Sequence, residues 1–216
     1  EILIQIAQSI SLRKEELAKV LAQEAAKPMK YALAEIQRSV ATFTAAAEES
    51  KRLPMEYIRL DWEPTCKGRE GLVKYFPIGL VAGISPFNFP MNLAAHKIAP
   101  AIAAGCPIIL KPASSTPLST LELAQIIDKT ALPKGAVSIL PMDRVIGNLL
   151  VTDERFKLLS FTGSSEVGWK MKNDAGKKKV VLELGGNAGT IITNGPNGSA
   201  NAIAALRCTQ LSRRFE

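Results

Sequence analysis

Val180-Val181-Leu182-Glu183-Leu184-Gly185-Gly186-Asn187 is the stretch on which the reading of this chain turns. Val180 to Leu184 have the composition of a buried strand, and the strand runs into a Gly-Gly turn. Two residues without Cβ let the backbone come close to a ligand. Glu183 is one acid within that apolar run. A buried carboxylate must find a partner or carry a raised pKa, and a raised pKa suits a general base.

Working outward, Thr190 to Thr193 reads as a further strand. On the N-terminal side lie a helix over Ser164 to Ala175 and a strand over Lys157 to Phe161. Before these come a short helix at Val145 to Val151, a strand at Ala136 to Leu140, and a helix at Thr116 to Thr130 capped from Ser114 or Ser115. A strand at Pro107 to Leu110, a helix at Met91 to Ala104 and a strand at Leu80 to Ser85 complete this half. Strands alternating with helices predict βαβ units and a parallel sheet with helices on both faces. Ligands of such sheets sit outside the carboxyl ends of the strands. The candidate site is therefore the set of loops after Ser85, Leu110, Phe161 and Glu183.

The first part of the chain is different. Apolar residues at helical spacing predict two helical pieces up to Gln23 with a break near Ser9 to Ser11, then a long helix from Met29 to Lys51. Alternation over Tyr57 to Trp62 and Gly71 to Phe76 predicts an antiparallel hairpin around a Pro64 to Glu70 loop.

Composition excludes several classes. With 216 residues, 47% of them hydrophobic, the chain can bury a real core. Its net charge of +7 forms no basic patch interleaved with aromatics, so no nucleic-acid partner is expected. Cys66, Cys106 and Cys208 are far apart, and with the single His96 they make neither a metal site nor a disulfide framework. A reducing, cytoplasmic setting is expected. No run of apolar residues is long enough to span a bilayer, so no membrane partner is expected. The start lacks Met and a basic leader, and reads as the interior of something longer.

Each loop taken alone is ordinary. Ser85-Pro86-Phe87-Asn88-Phe89-Pro90 holds one amide, Asn88, in a stiff turn, and a rigid Asn N–H is a good donor to an oxyanion. Lys111-Pro112-Ala113-Ser114 sets a Lys at a strand end beside orphan helix N–H groups, a place for hydroxyls or phosphate. Phe161-Thr162-Gly163-Ser164-Ser165-Glu166-Val167-Gly168 opens a helix on Ser-Ser, another phosphate-ready terminus. Together, P-F-N-F-P, L-K-P-A, F-T-G-S-x-x-V-G and L-E-L-G-G-N, in this order, resemble the NAD(P)-dependent aldehyde dehydrogenase superfamily. Glu24-Ala-Ala-Lys27-Pro28 and Lys97-Ile-Ala-Pro100 match in place as well.

That resemblance implies a Rossmann-like cofactor domain over 1–206, with 54–77 as part of a β-hairpin oligomerisation element. Residues 207–216 stand apart as an atypical basic tail. It implies Asn88 as the oxyanion-hole amide, Glu183 as the base that activates water, and Lys111 at the adenine ribose. Gly163 and Ser164 would face the pyrophosphate and Gly186 the nicotinamide end. Ser85, Pro86, Phe87, Ser114 and Val167 complete the expected cofactor contacts, and Lys97 lies near the site. NAD-preferring members carry Glu where this chain has Ser114, so NADP or NAD is expected, with room for a 2′-phosphate. The intact family form oxidises a small aldehyde to the carboxylic acid through a cysteine thioester, and a homo-oligomer or self-association is expected.

The family's nucleophile, counted from Glu183, falls just past Glu216, and Cys208 stands at the wrong spacing. The resemblance then implies that the catalytic domain is missing from these residues and that the chain alone is inactive. A non-catalytic nucleotide-binding or interaction module is the competing reading.

Overall fold

In the computed structural model, residues 1–186 are described. Three helices open the chain: α1 (Ile2–Leu12), α2 (Lys14–Ala25) and α3 (Met29–Glu49). The break between α1 and α2 lies at Arg13, later than the sequence predicts. Arg13 donates to Glu122 at 2.7 Å and also pairs with Glu16, so ionic contacts outside the apolar stripe fix the corner. On α3 the buried residues Ala32, Ile36, Ser39, Phe43 and Ala47 recur every three to four positions, and the helix packs against α1 and against the later helix α4 (Pro90–Ala103). Glu35 is buried on that same apolar face.

The hairpin forms as expected from β1 (Met55–Arg59) and β2 (Glu70–Lys74), antiparallel, with Tyr57 opposite Leu72. It packs on nothing among the described residues: Tyr57 and Leu72 are exposed on one face, and Ile58 and Val73 on the other. An isolated two-stranded ribbon is marginal in water, so this one needs another surface.

The remaining strands are β3 (Val81–Ile84), β4 (Ile108–Lys111), β5 (Val137–Ile139), β6 (Leu158–Gly163) and β7 (Lys179–Leu184). They form one parallel sheet in the order β5-β4-β3-β6-β7. The chain winds outward from β3 to β5 and then returns to the other side of β3. The crevice at a switch point therefore opens between the loops after β3 and β6.

Strand alternation sorts the core into two layers. Val81, Ile108 and Leu110 face α1 to α4 and α5 (Leu118–Asp128). Ala82, Ile84, Leu159 and Phe161 face the side of α6 (Arg144–Thr152) and α7 (Ser165–Asp174). One expectation needs correcting here. Among the described residues the strand of Glu183 is not buried: β7 pairs there with β6 alone, alternates exposed and half-buried residues, and leaves Glu183 exposed. Val180 and Leu182 carry its packing against the second layer. The strand expected at Thr190 to Thr193 lies outside the described residues, as does Cys208.

Candidate functional site at the carboxyl edge of the sheet

Strand register sets the site residues in a row. Lys111 on β4 pairs with Ile84 on β3, Ile84 with Phe161 on β6, and Phe161 with Leu182 on β7. Three strand spacings, about 14 Å, separate the Lys111 end from the Glu183 end. A ligand that reaches both must lie extended across the edge of the sheet.

At one end, Lys97 reaches in from the middle of α4. The residue is 6% exposed, and its ammonium donates to Ser160 Oγ at 3.1 Å and Thr162 Oγ1 at 2.8 Å. Thr162 in turn donates to Glu183 Oε2 at 3.2 Å. Burial lowers the Lys97 pKa to about 8, against the pull of the Glu183 carboxylate. Gly83 leaves the space the lysine stem uses: a Cβ there would lie 3.5 Å from Lys97 Cδ and 2.9 Å from Leu110 Cδ1. Glu183 thus has a hydroxyl partner and an ammonium one step further in, rather than an apolar burial site. Gly185 and Gly186 follow it, and among the described residues nothing lies within 4 Å of a Cβ at either position.

Asn88 sits in the loop after β3. The residue is exposed, and its Oδ1 accepts the Phe89 N–H at 3.1 Å, which leaves the carboxamide nitrogen for another partner. Among the described residues nothing accepts from that nitrogen. Ser85, at the strand end, is buried, and its hydroxyl has no partner among the described residues. Pro86 and Phe87 are half-buried beside it.

At the other end, Lys111 is buried and makes only a long 3.4 Å contact to its neighbour's carbonyl, Pro112 O. Its stem lies along Gly147 of α6, where a Cβ would stand 3.0 Å from both Cδ and Cε. Burial lowers its pKa, and the nearby Arg144 guanidinium lowers it further while Asp143 opposes. Ser114 is exposed beside it. Two cations close together with one carboxylate suit a doubly charged anion.

The helix termini behave unequally. The sequence predicts that α5 is capped from Ser114 or Ser115 and that its N–H groups await a phosphate. Instead α5 starts at Leu118, and the Glu24 carboxylate accepts Leu118 N–H at 2.6 Å and Ser119 N–H at 3.0 Å. At α4, Glu35 Oε1 accepts Met91 N–H at 3.1 Å and Asn92 N–H at 3.2 Å. Both termini are filled by carboxylates of this chain. The start of α7 is different: Ser164 Oγ accepts Val167 N–H at 3.4 Å, and among the described residues no carboxylate accepts an N–H of that turn, although Glu166 stands in it. Gly163 is required there, since a Cβ would lie 2.5 Å from Phe161 Cζ.

Sequence reasoning passed over Glu24, Lys27, Glu35, Arg38, Thr162 and Arg144 as site residues. Glu35 carried a signal, a carboxylate in an apolar helical stripe. Arg38 extends from α3 toward the Asn88 loop, with its guanidinium carbon 5.8 Å from the Phe89 ring centre. It forms no ion pair among the described residues and lies close enough to His96 to help depress its pKa, after burial. A separate open groove of about 460 Å³ runs between α3 and α4, lined by Thr42, Leu53, His96 and Pro100. Of the thiols, Cys106 is buried at the amino end of β4 and Cys66 lies in the hairpin loop, both away from Glu183. No metal-binding cluster and no membrane-crossing helix occur among the described residues.

A parallel sheet with a helix start at its switch point, cations at one end and a Lys–Thr–Glu chain at the other is the architecture of a Rossmann-like dinucleotide-binding domain. The comparisons make that specific. The model of the aldehyde dehydrogenase family matches residues 1–209, and the chain belongs to that family. It is 46% identical to a lactaldehyde dehydrogenase of Methanocaldococcus jannaschii, over 86% of this chain and 40% of that protein. A 3-sulfolactaldehyde dehydrogenase of Priestia megaterium is 39% identical over 89% of the chain and 40% of its own length. Among solved structures, aldehyde dehydrogenase 21 of Physcomitrella patens, in complex with the product succinate, superposes with TM-score 0.84 at 55% identity. That match covers 87% of this chain and 39% of the moss protein. A glyceraldehyde-3-phosphate dehydrogenase of M. jannaschii complexed with NADP gives TM-score 0.80 at 44% identity, over 86% of this chain and 40% of the other. The chain thus spans about 40% of the length of the relatives it matches.

Proposed function

We propose that these residues are the cofactor half of an enzyme that oxidises an aldehyde with an anionic tail to the carboxylic acid, using NADP in preference to NAD. One observation carries this reading: a single sheet edge holds the Lys97–Thr162–Glu183 chain at one end and the Lys111–Arg144 cation pair at the other. The α7 terminus suits the pyrophosphate between them. Lys111 and Arg144 would hold the adenosine 2′-phosphate, and Ser114 presents no carboxylate to repel it.

When bound, the nicotinamide supplies a hydride acceptor. The chain's own residues do the rest. The Asn88 amide would donate to the aldehyde oxygen as it becomes an oxyanion on attack by a nucleophile from outside the described residues, and Glu183 would take the proton of the water that later releases the acyl group from that nucleophile. Lys97, through Thr162, keeps that carboxylate in place.

Arg38 supports the anionic tail. It is an unpaired guanidinium among the described residues, set at the Asn88 loop. The succinate product bound by the moss enzyme and the sulfonate of the sulfolactaldehyde for which the Priestia enzyme is named agree in charge. In the whole enzyme, Arg38→Ala should raise KM for a carboxylate-bearing aldehyde about tenfold, near 1.4 kcal/mol, and leave an uncharged aldehyde unaffected. Equal effects on both would refute the role.

Taken by themselves, these residues should bind dinucleotide without turnover, because the thiols among the described residues, Cys106 before β4 and Cys66 in the hairpin loop, do not stand at the strand end that carries Glu183. Linear growth of absorbance at 340 nm with aldehyde and NADP would contradict this. The hairpin, exposed on both faces, is proposed to extend a sheet in a second copy.

A further inference from the structure

We infer that Lys27 and Glu35 are positioning residues for Asn88, an inference that rests on Asn88 being the oxyanion donor. The geometry is a buried fork. Glu35, 1% exposed on α3, uses one oxygen for the first N–H groups of α4 and the other for the Lys27 ammonium at 2.5 Å. Lys27, at the corner between α2 and α3, also donates to the carbonyl of Asn88 at 2.7 Å, and its ammonium stands 4.2 Å from the centre of the Phe89 ring.

The loop from β3 to α4 is therefore gripped at two points. Glu35 fixes where α4 begins, and Lys27 fixes the peptide of Asn88 three residues earlier. The Asn88 side chain then has one internal bond, from Phe89 N–H to Oδ1, and its free nitrogen points where the backbone directs it. Without the Lys27 bond the Asn88 peptide is free to rotate on the surface, and the amide swings with it.

Capping α4 does not require this arrangement. A neutral side chain would satisfy the two N–H groups without taking a carboxylate out of water. A buried acid that also binds a lysine pointing at the next loop serves orientation instead. The two roles are separable, because Lys27 touches no N–H group of α4: Lys27→Met keeps the Glu35 bonds to Met91 and Asn92 while removing the grip on Asn88 together with the ion pair to Glu35, and Lys27→Arg restores the charge.

The test is a cycle in the whole enzyme, with the isolated chain as a second arm. Asn88→Ala is the reference and should lower kcat about a hundredfold or more if Asn88 is the oxyanion donor. Lys27→Met should lower kcat about tenfold with KM for NADP unchanged, since misplacement by a fraction of an ångström is enough. Lys27→Arg should recover most of that loss. The double variant should be no slower than Asn88→Ala alone, because Lys27 acts only through that amide. Additive losses in the double variant would overturn the inference, as would an unchanged kcat in Lys27→Met. An unaffected Asn88→Ala would instead refute the Asn88 reading. In the 216-residue chain, nitrogen relaxation of the Asn88 carboxamide should fall from rigid to mobile in Lys27→Met and recover in Lys27→Arg, with Met91 and Asn92 amides still protected from exchange. A rigid Asn88 in Lys27→Met contradicts the grip whatever the kinetics show.

Discussion

Lys97 Nζ lies 2.8 Å from Thr162 Oγ1, in a position where burial brings its pKa to about 8. In the unfolded chain the same lysine holds its proton to about 10.5. The native state therefore binds fewer protons than the unfolded one between those values, and stability rises as pH goes from 8 to 10.5. Below pH 8 the full cost of burying a charged ammonium is present. Lys97→Met removes it. The variant should be more stable than wild type at pH 7, and its advantage should shrink by about 3 kcal/mol by pH 10.5. Denaturant titrations across that range check this; parallel profiles would contradict it.

The Glu24 cap predicts an outcome opposite to the local rule. Glu24→Gln should destabilise the fold by about 1 kcal/mol, through the weakened bonds to Leu118 and Ser119. Ser114→Ala and Ser115→Ala should each change stability by less than about 0.5 kcal/mol. Urea midpoints of the three variants decide between a distant carboxylate and a nearby hydroxyl.

Gly163 has no room for a methyl group against Phe161. Gly163→Ala should cost about 1–3 kcal/mol and shift the start of α7, weakening dinucleotide binding with it. Calorimetric melting and a binding titration on the same sample would check both effects.

At the adenosine end, Ser114→Glu sets a carboxylate beside the 2′-phosphate position. It should weaken 2′-phospho-ADP-ribose about tenfold and leave ADP-ribose nearly unchanged. Arg144→Ala should do the same by removing a cation. Calorimetry with the two ligands gives the ratio directly, and equal losses for both would count against the phosphate site.

Much of this was legible in the sequence, for identifiable reasons. Alternating strands and helices fix a parallel sheet, and such a sheet sends strand-terminal residues such as Lys111 and Glu183 to one edge. The hairpin follows from period-two alternation. What the sequence hid is tertiary. Glu24 caps a helix through Leu118, 94 positions away, and Glu35 caps another through Met91, 56 away, so the rule that a helix is capped by its own preceding Ser fails at α5. Glu183 reads as buried because its neighbours are apolar. It is exposed among the described residues because β7 pairs on one side only. Arg38 and Arg144 carry no local pattern; only folding sets them beside Phe89 and Lys111.

The most direct test of a dinucleotide lying across the sheet edge is a titration of NADP into nitrogen-15-labelled protein, followed at the backbone amides. Ser85, Lys111, Ser114, Ser164, Val167 and Gly186 should shift together along one saturation curve, and Lys111→Ala should weaken that curve about tenfold. Shifts confined to the groove between α3 and α4, or no shifts at saturating NADP, would contradict it.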